Sequence, residues 1–486
     1  MDLLDKRVIH QIVSDIESSQ TRERREEDIK AFEIYSGKLN EYVELRLKAI
    51  HPQTWRSFSV ADLNLCKKIT DKRATAYRQG PIRKLDNDAE TEQYESLMDD
   101  IKADRAWQTF DVYYNLHRYA CMWFNFIEDG GEQKLILRPL NPSQFFRVVD
   151  NVGRTKVFVV NFPEKTLYET YDGDGLTSLI QDDAQDTHNK YKRYAMWTES
   201  QHVIIQVRDD ENDQFDIKYE PIEGNEKMVN ELGVIPAVFK QQGDDMSLPI
   251  LNPLADQTIE FNQQYSVMLT GAAVQTFGHL ILSYPEDQPA PDQIYNSYFT
   301  YSKLPQREGA PPTTLDYLNP SPNLGSQLEV ISDYGHQIIS EHLGDGSSTL
   351  KGTNQQYASG IDRMIAMADI TNIVNMNKET YAEAEQELYQ IIKAYYEANN
   401  SFTFRSERLQ VKYPKPKPIQ SEKETLELIQ KKIDLGLITK KQALMELEPN
   451  MTSEQAEEQL SDIEQEKLSN VQAFLGGNDA DNQEQD

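Results

Sequence analysis

The stretch that decides the fold is 254–343, which begins LADQTIEFNQQYSVMLTGAAVQTF (254–277) and ends LGSQLEVISDYGHQIISEHL (324–343). Both ends are typical of helices, and prolines interrupt regular structure throughout the segment between them. Two β-rich runs, HLILSY (279–284) and YNSYFTY (295–301), predict strands inside that segment. We therefore predict a long helix, a proline-rich β segment and a second long helix in succession.

The first of these helices runs into a stretch without charged residues, from Phe261 to Pro285. Its amides and hydroxyls, together with His279, make it too polar for the hydrocarbon core of a membrane. We therefore predict no membrane span and a soluble protein.

The composition excludes several classes of protein. The chain has 486 residues, with 50 Lys and Arg against 80 Asp and Glu and a net charge of −30. A general nucleic-acid binder needs a cationic face, and the excess of acidic over basic residues argues against one. Cys66 and Cys121 are too few for a disulfide scaffold or a Cys-rich zinc module, and they fit assembly in a reducing compartment.

Before this stretch, the spacing of apolar residues changes once, from a helical pattern to a strand pattern. Residues 1–120 predict helices, among them one over 8–16, one from 62 toward Tyr77 that stops at Gly80-Pro81, and one from about 90 through 114. Residues 120–240 contain short β-rich runs separated by turn clusters, which predict an antiparallel sheet.

The segments after it are predicted to be helical again. A Gly/Ser/Thr-rich loop over 344–353 precedes a long helical pattern from about 359 to 398. A Pro-rich linker over 412–418 leads to a small helical module over 420–468. Within that module the turn 435–439 is predicted to cap the second helix.

No motif of a common enzyme class occurs in the sequence. The chain has no phosphate-binding P-loop, no His-Glu-x-x-His, no Gly-x-Ser-x-Gly and no Cys-x-x-Cys. Asp172-Gly-Asp-Gly175 is similar to half of an EF-hand loop, but Leu176 stands at the fifth position and Asp183 where the bidentate Glu belongs, which favours a β-turn. We therefore predict no enzymatic activity, no metal site and no cofactor.

Three strings and the order of the parts carry a family resemblance. Residues 231–239 (ELGVIPAVF) form a Gly-x-Ile-Pro-hydrophobic strand before the first long helix. Residues 72–81 (KRATAYRQGP) resemble a helix end of the pattern Tyr-x-x-Gly-x-Pro, although Pro81 here follows the glycine directly. Residues 433–444 (IDLGLITKKQAL) resemble the helices of a small cap. In this order, over nearly the whole chain, they resemble the portal proteins of tailed double-stranded DNA bacteriophages.

The resemblance implies an α+β fold, predominantly α-helical, whose subunits form a ring. Its parts would be, in chain order, a wing (1–253), a first stem helix (254–277), a clip (278–322), a second stem helix (323–343), a tunnel loop (344–358), a long wing helix with a strand (359–412), a Pro-rich linker (413–419), a crown (420–468) and a disordered acidic tail (469–486).

The resemblance also implies a function. Portal proteins form a ring of twelve copies at one vertex of the capsid, and the ring is the channel for genome packaging and ejection. The implied partners are double-stranded DNA in transit, the terminase, a head–tail adaptor, and the major capsid and scaffolding proteins. The ring would be assembled in the host cytoplasm and reside in the virion. Portals do not hydrolyse ATP, since the terminase motor docks on the clip.

The tunnel loop would face DNA in such a ring. Its candidate residues are Lys351, Asn354, Gln355 and Gln356, of which Lys351 supplies a positive charge for the phosphates. The alternative, a solvated loop lysine, stays open. We expect that Lys351→Ala alters DNA packaging or retention and leaves ring assembly intact.

The first stem helix would supply part of the subunit interface. Gly271, Ala272, Ala273 and Gln275 are the candidates, because small or uncharged residues avoid the repulsion of like charges at a repeated contact. The alternative, a helix buried within one subunit, stays open.

The clip would dock the terminase and the adaptor, and its candidate contact residues are Tyr295, Tyr298, Tyr301 and Lys303. Two other classes of function stay open. One is another head–tail connector or an inner-capsid structural protein without a channel. The other is an enzyme such as a nuclease or a nucleotide-binding ATPase, which the absence of a phosphate loop disfavours.

Overall fold

The chain contains both helices and sheets and divides into two compact units. The described residues up to 414 belong to the first unit, and those from 422 onward belong to the second. The computed structural model describes residues 2–129, 132–162, 192–209, 215–220, 228–243, 251–277, 279–285, 300–306, 314–318, 324–344, 368–398, 402–414, 422–435, 438–447, 457 and 459–461.

Helices supply most of the first unit. They are Lys6–Ile16, Ser19–Tyr35, Leu39–Ile50, Leu65–Arg73, Asp88–Asp100, Ala103–His117, Leu254–Phe277, Leu324–Leu343 and Ala368–Ala398, with 3₁₀ turns at Trp55–Ser57 and Pro142–Gln144. Side-chain caps fix several helix starts: the side chains of Asp5, Ser18, Asn64 and Asn87 accept hydrogen bonds from backbone N–H groups of the first turn.

Two antiparallel sheets lie between these helices, where a single antiparallel sheet was predicted. The larger contains, in spatial order, Phe145–Val149, Thr155–Phe162, Lys192–Trp197, His202–Asp209 and Phe215–Glu220. The smaller contains Glu132–Leu140, Tyr119–Asp129 and Ala237–Gln241. A two-stranded pair joins Ile82–Lys84 to Gln410–Lys412.

The two sheets are stacked between layers of helix, which explains the apolar character of their strands. In the five-stranded sheet, Val157 and Val159 face the helix Lys6–Ile16, whereas Phe158 and Val160 face the three-stranded sheet. This alternation follows the two-residue period of a strand. The opposite face of the three-stranded sheet joins the main helical core, to which the helix Ala368–Ala398 also contributes.

Three predictions of local structure in the first unit were wrong. The helix predicted from about 90 through 114 is two helices, because Lys102 has a left-handed backbone (φ 52°) that ends the first of them. The helix predicted to reach Tyr77 ends at Arg73. Pro305 was expected to interrupt regular structure after the strand predicted over 295–301, yet the strand Thr300–Gln306 continues through it. That strand is at the edge of its sheet, where a residue without an N–H is tolerated.

The second unit contains the helices Glu422–Asp434 and Lys440–Leu447. The predicted cap between them is confirmed: the Gln442 N–H donates to Thr439 Oγ1 over 3.2 Å, and the Thr439 N–H donates to Gln442 Oε1 over 3.0 Å. This reciprocal pair is a capping box, which fixes the start of the second helix.

Candidate functional site: a two-helix arm

The helices Leu254–Phe277 and Leu324–Leu343 confirm the two helices predicted from the sequence. We call them the first and second arm helices. They run antiparallel, because a residue nearer the start of one helix contacts a residue nearer the end of the other. His342 Nε2 donates to Gln257 Oε1 over 2.8 Å, and the Tyr334 hydroxyl donates to Glu260 Oε2 over 3.2 Å.

Burial changes along both arm helices. On the first, Ile259 and Phe261 are buried, but every residue from 267 to 273 is at least partly exposed. On the second, residues 324–330 are at least partly exposed and burial begins at Ile331. Because the helices are antiparallel, the two exposed halves lie at the same end of the pair.

The exposed halves carry apolar side chains. Leu328 and Val330 on the second arm helix are 51% and 64% exposed, and Val267 on the first is 36% exposed. Such side chains are uncovered in this chain, and covering them would release water from apolar surface. The outer half of the arm is therefore suited to contact another surface.

A three-stranded sheet joins the outer ends of the arm helices. Its central strand His279–Pro285 pairs in parallel with Thr300–Gln306 and antiparallel with Thr314–Leu318. The first strand confirms the prediction for 279–284, and the strand predicted over 295–301 overlaps the described one at Thr300 and Tyr301. The arm thus consists of two helices with a small sheet at the end away from the core.

An extended segment, Ser59–Leu63, docks along the first arm helix. The N–H groups of Ser59, Ala61 and Leu63 donate to the side chains of Thr270, Ser266 and Asn262, respectively, over 3.0, 2.8 and 2.7 Å. The three acceptors are four residues apart, so they lie in one row on the helix. This row binds backbone of the same subunit.

The docked segment explains why one face of the uncharged stretch 261–285 is polar but carries no charge. Asn262 and Ser266 are fully buried within the single chain, which agrees with the alternative of a helix buried inside one subunit for this face. Sequence reasoning did not identify the row as a binding surface for 59–63. The available signal was the four-residue spacing of uncharged polar side chains.

Charged contacts join the base of the arm to the helix Ser19–Tyr35. Lys30 Nζ lies 2.9 Å from Asp256 Oδ1 and also pairs with Glu27. A surface cavity of about 660 Å³ beside this contact is lined mainly by carboxylates, including those of Glu23 and Glu26. Its acidic lining makes it unsuited to phosphate groups.

The predicted interface residues lie on the outer half of the first arm helix. Gly271 and Ala272 are partly exposed and Ala273 is exposed, and a β-carbon built at Gly271 would meet no atom of the described residues within 4 Å. Gln275 lies on the same helix, two residues before its end. The structure therefore leaves space beside Gly271 within the subunit.

The other predicted site residues are described in part. Tyr301 and Lys303 lie on the strand Thr300–Gln306, opposite Leu280 and Leu282 of the central strand. Tyr295 and Tyr298 lie outside the described residues, as do the four tunnel-loop candidates, Lys351, Asn354, Gln355 and Gln356.

Within the described ranges, no group of three or more His, Cys, Asp or Glu side chains is arranged to hold a metal ion. None of the described helices combines the length and apolar character that crossing a membrane requires. No protein family and no curated protein matches the chain.

Proposed function

We propose that this chain is the subunit of a portal ring, a channel through which double-stranded DNA enters and leaves a bacteriophage capsid. Copies of the arm would stand side by side around the channel. In this proposal the sheet at the end of the arm docks the terminase and the head–tail adaptor, and the wing meets capsid and scaffolding proteins. The ring would belong to the virion.

The arm is the observation that carries the proposal. Its inner half is buried in the helical core, whereas its outer half presents Val267, Leu328 and Val330 to solvent. A ring covers such surfaces with a neighbouring copy, through the same contact repeated around the axis. The order of parts along the chain adds the resemblance described above.

Charge supports a conduit. Each copy has a net charge of −30, so a ring of copies repels the phosphates of DNA over most of its surface. Repulsion of this kind favours passage over adhesion, because strong binding requires cations at the phosphates. Salt screens charges beyond about 10 Å, so groups that line the channel act most on the DNA.

Gly271→Glu tests the proposed contact. A β-carbon at this position meets no described atom within 4 Å, so we expect the subunit to fold with unchanged helix content. In a ring it would bring a carboxylate into a repeated contact, and we expect assembly to fail.

The matched control is Ala49→Glu, which adds the same charge at an exposed helical position outside the arm. Mass measurement in solution should give rings of about twelve subunit masses for the parent and the control, and monomers for Gly271→Glu. Normal rings from Gly271→Glu would refute this interface.

A further inference from the structure

One part of this acidic chain is strongly basic. Residues 45–85 contain ten Lys and Arg and two Asp, a net charge of +8 in a chain whose total is −30. The segment covers the end of the helix Leu39–Ile50, the docked segment Ser59–Leu63 and the helix Leu65–Arg73. The positive charge of the chain is thus concentrated in one segment, although some of it is paired with carboxylates from other segments.

Three of these cations lie on the helix Leu65–Arg73, where Lys68 is close to Lys72, and Arg73 at the helix end is close to a fourth cation, Arg118. Lys68 and Lys72 are exposed and four residues apart, so they lie on one face of the helix. Arg73 is the last residue of that helix, and Arg118 follows the last residue of the helix Ala103–His117, which packs against it. We call these four residues the cationic cluster.

The side chains of the cationic cluster have no ion pair and no hydrogen bond to any described residue. The Nε atoms of Arg73 and Arg118 are buried and lack an acceptor. By contrast, Arg83 in the same basic segment is paired with Glu385 and Asp104. Carboxylates are abundant in this chain, yet none of those in the described ranges forms an ion pair with the cluster.

The cluster is electrostatically unfavourable as it stands. Burial lowers the pKa of Arg73, and the nearby charge of Arg118 lowers that pKa further. Asp111 opposes this repulsion, but it is buried and already accepts hydrogen bonds from Tyr381, Asn115 and the Ala76 N–H. An anion placed between the two guanidinium groups would relieve the repulsion and satisfy the buried donors.

The cluster lies at the base of the arm. The helix Leu65–Arg73 packs against the second arm helix, and Arg73 and Arg118 both act on the pKa of His342 in its last turns. From there the chain continues into 344–358, the segment that the family resemblance assigns to the tunnel loop. The cationic cluster therefore lies beside the end of the second arm helix.

We propose that Lys68, Lys72, Arg73 and Arg118 bind phosphate groups of double-stranded DNA. The inference deepens the proposed function and rests on it for the identity of the polyanion. Contacts from Lys and Arg to the backbone do not depend on sequence, as a conduit requires. The aromatic rings beside Arg73, Tyr114 and Tyr381, are buried, so they offer no platform for the bases of a single strand.

The test measures binding of a fluorescent 30-base-pair duplex to the full-length protein across a range of salt concentrations. The variant Arg73→Gln/Arg118→Gln should weaken binding about tenfold and reduce the slope of log K against log salt by about 1.8, the value for two lost phosphate contacts. Arg73→Lys/Arg118→Lys keeps both charges and should retain most of that slope.

The matched control is Lys6→Gln/Arg7→Gln, which also removes two positive charges. These residues begin the helix Lys6–Ile16, which packs on the five-stranded sheet and not on the main helical core. Binding and salt slope that are the same in the Arg73/Arg118 variant and in this control would overturn the inference. A variant that unfolds more easily but binds DNA as the parent does would also overturn it, since the arginines would then only stabilise their helix ends.

Two competitors distinguish the source of the anion. Inorganic phosphate at equal ionic strength should displace little duplex, and poly-glutamate should compete less well than unlabelled duplex. The inference is wrong if free phosphate or poly-glutamate binds through the cationic cluster while the affinity for the duplex is the same with and without the cluster's arginines. The portal proposal is tested independently of DNA binding. It fails if the unmodified protein forms no rings, whatever the DNA measurements give.

Discussion

The ring of Phe261 lies against the backbone of Gly335, where a β-carbon would stand only 2.9 Å from Cε2 of the ring. Both residues are buried, and they join the two arm helices at the level where each enters the core. A glycine at this position lets the helices approach closely, although glycine weakens a helix.

Gly335→Ala should therefore destabilise the subunit, by about 1–3 kcal/mol, because the added methyl overpacks a rigid aromatic contact. Gly271→Ala is the control, since its β-carbon would meet no described atom within 4 Å. There the better helix propensity of alanine should add about 0.5–1 kcal/mol. Denaturant unfolding of both variants measures the difference, and equal midpoints would contradict the close packing.

Ser266→Ala should loosen the segment docked on the first arm helix. Ser266 is fully buried, and its loss leaves the Ala61 N–H without an acceptor at a cost of about 1–3 kcal/mol. Thr270→Ala is the milder control, because its partner Ser59 is exposed and its N–H can turn to water. Hydrogen exchange over 59–63 should accelerate much more in Ser266→Ala, and equal exchange would count against the docking.

A buried ion pair connects the strand Ile82–Lys84 to the long helix Ala368–Ala398. Arg83 Nη2 donates to Glu385 Oε1 over 3.1 Å, and the Tyr77 hydroxyl donates to the same oxygen over 2.9 Å. Both members of the pair are buried, Glu385 completely.

Glu385→Gln removes one charge and leaves the guanidinium buried, so it should cost about 3–5 kcal/mol. The double variant Arg83→Met/Glu385→Leu should recover much of that loss, because no unpaired charge remains. Lys38→Gln breaks a largely exposed pair with Glu33 and should change the stability much less, because solvent screens that pair. Thermal unfolding of the three variants checks the predicted order of their stabilities. If the Glu385→Gln variant is as stable as the Lys38→Gln variant, the prediction is contradicted.

Acid should destabilise the base of the arm through His342. Burial lowers the pKa of His342 to about 4; Glu341 opposes this shift, and Arg73 and Arg118 add to it. Between about pH 6.5 and 4 the unfolded chain therefore binds a proton that the folded chain does not. The free energy of unfolding should fall as the pH falls through this window, by up to about 1.4 kcal/mol for each pH unit.

His342→Gln removes this titration and keeps a donor for Gln257. Its unfolding free energy, measured at intervals from pH 7.5 to 4.5, should depend less on pH than that of the parent. Parallel curves for the two proteins would show that His342 does not titrate in this window.

The arm helices could be predicted from the sequence because their signals are local. The helical patterns of 254–277 and 324–343 end at breaks in periodicity that coincide with the observed ends. The capping box at Thr439 is equally local, since its two members are three residues apart.

The contacts of the arm could not be predicted in the same way. Asn262, Ser266 and Thr270 bind a segment about 200 residues away in the sequence, and no local pattern names such a partner. The break at Lys102 was missed because a lysine in the left-handed region has no sequence signature comparable to glycine. Pro305 was misread because its effect depends on whether its strand is central or at an edge.

Electron microscopy of the purified full-length protein tests the central claim most directly. The account predicts rings with a central opening, in which density for the arm of one subunit contacts the arm of the next. Particles that stay monomeric at high protein concentration, or closed assemblies in which Val267, Leu328 and Val330 remain exposed to solvent, would contradict it.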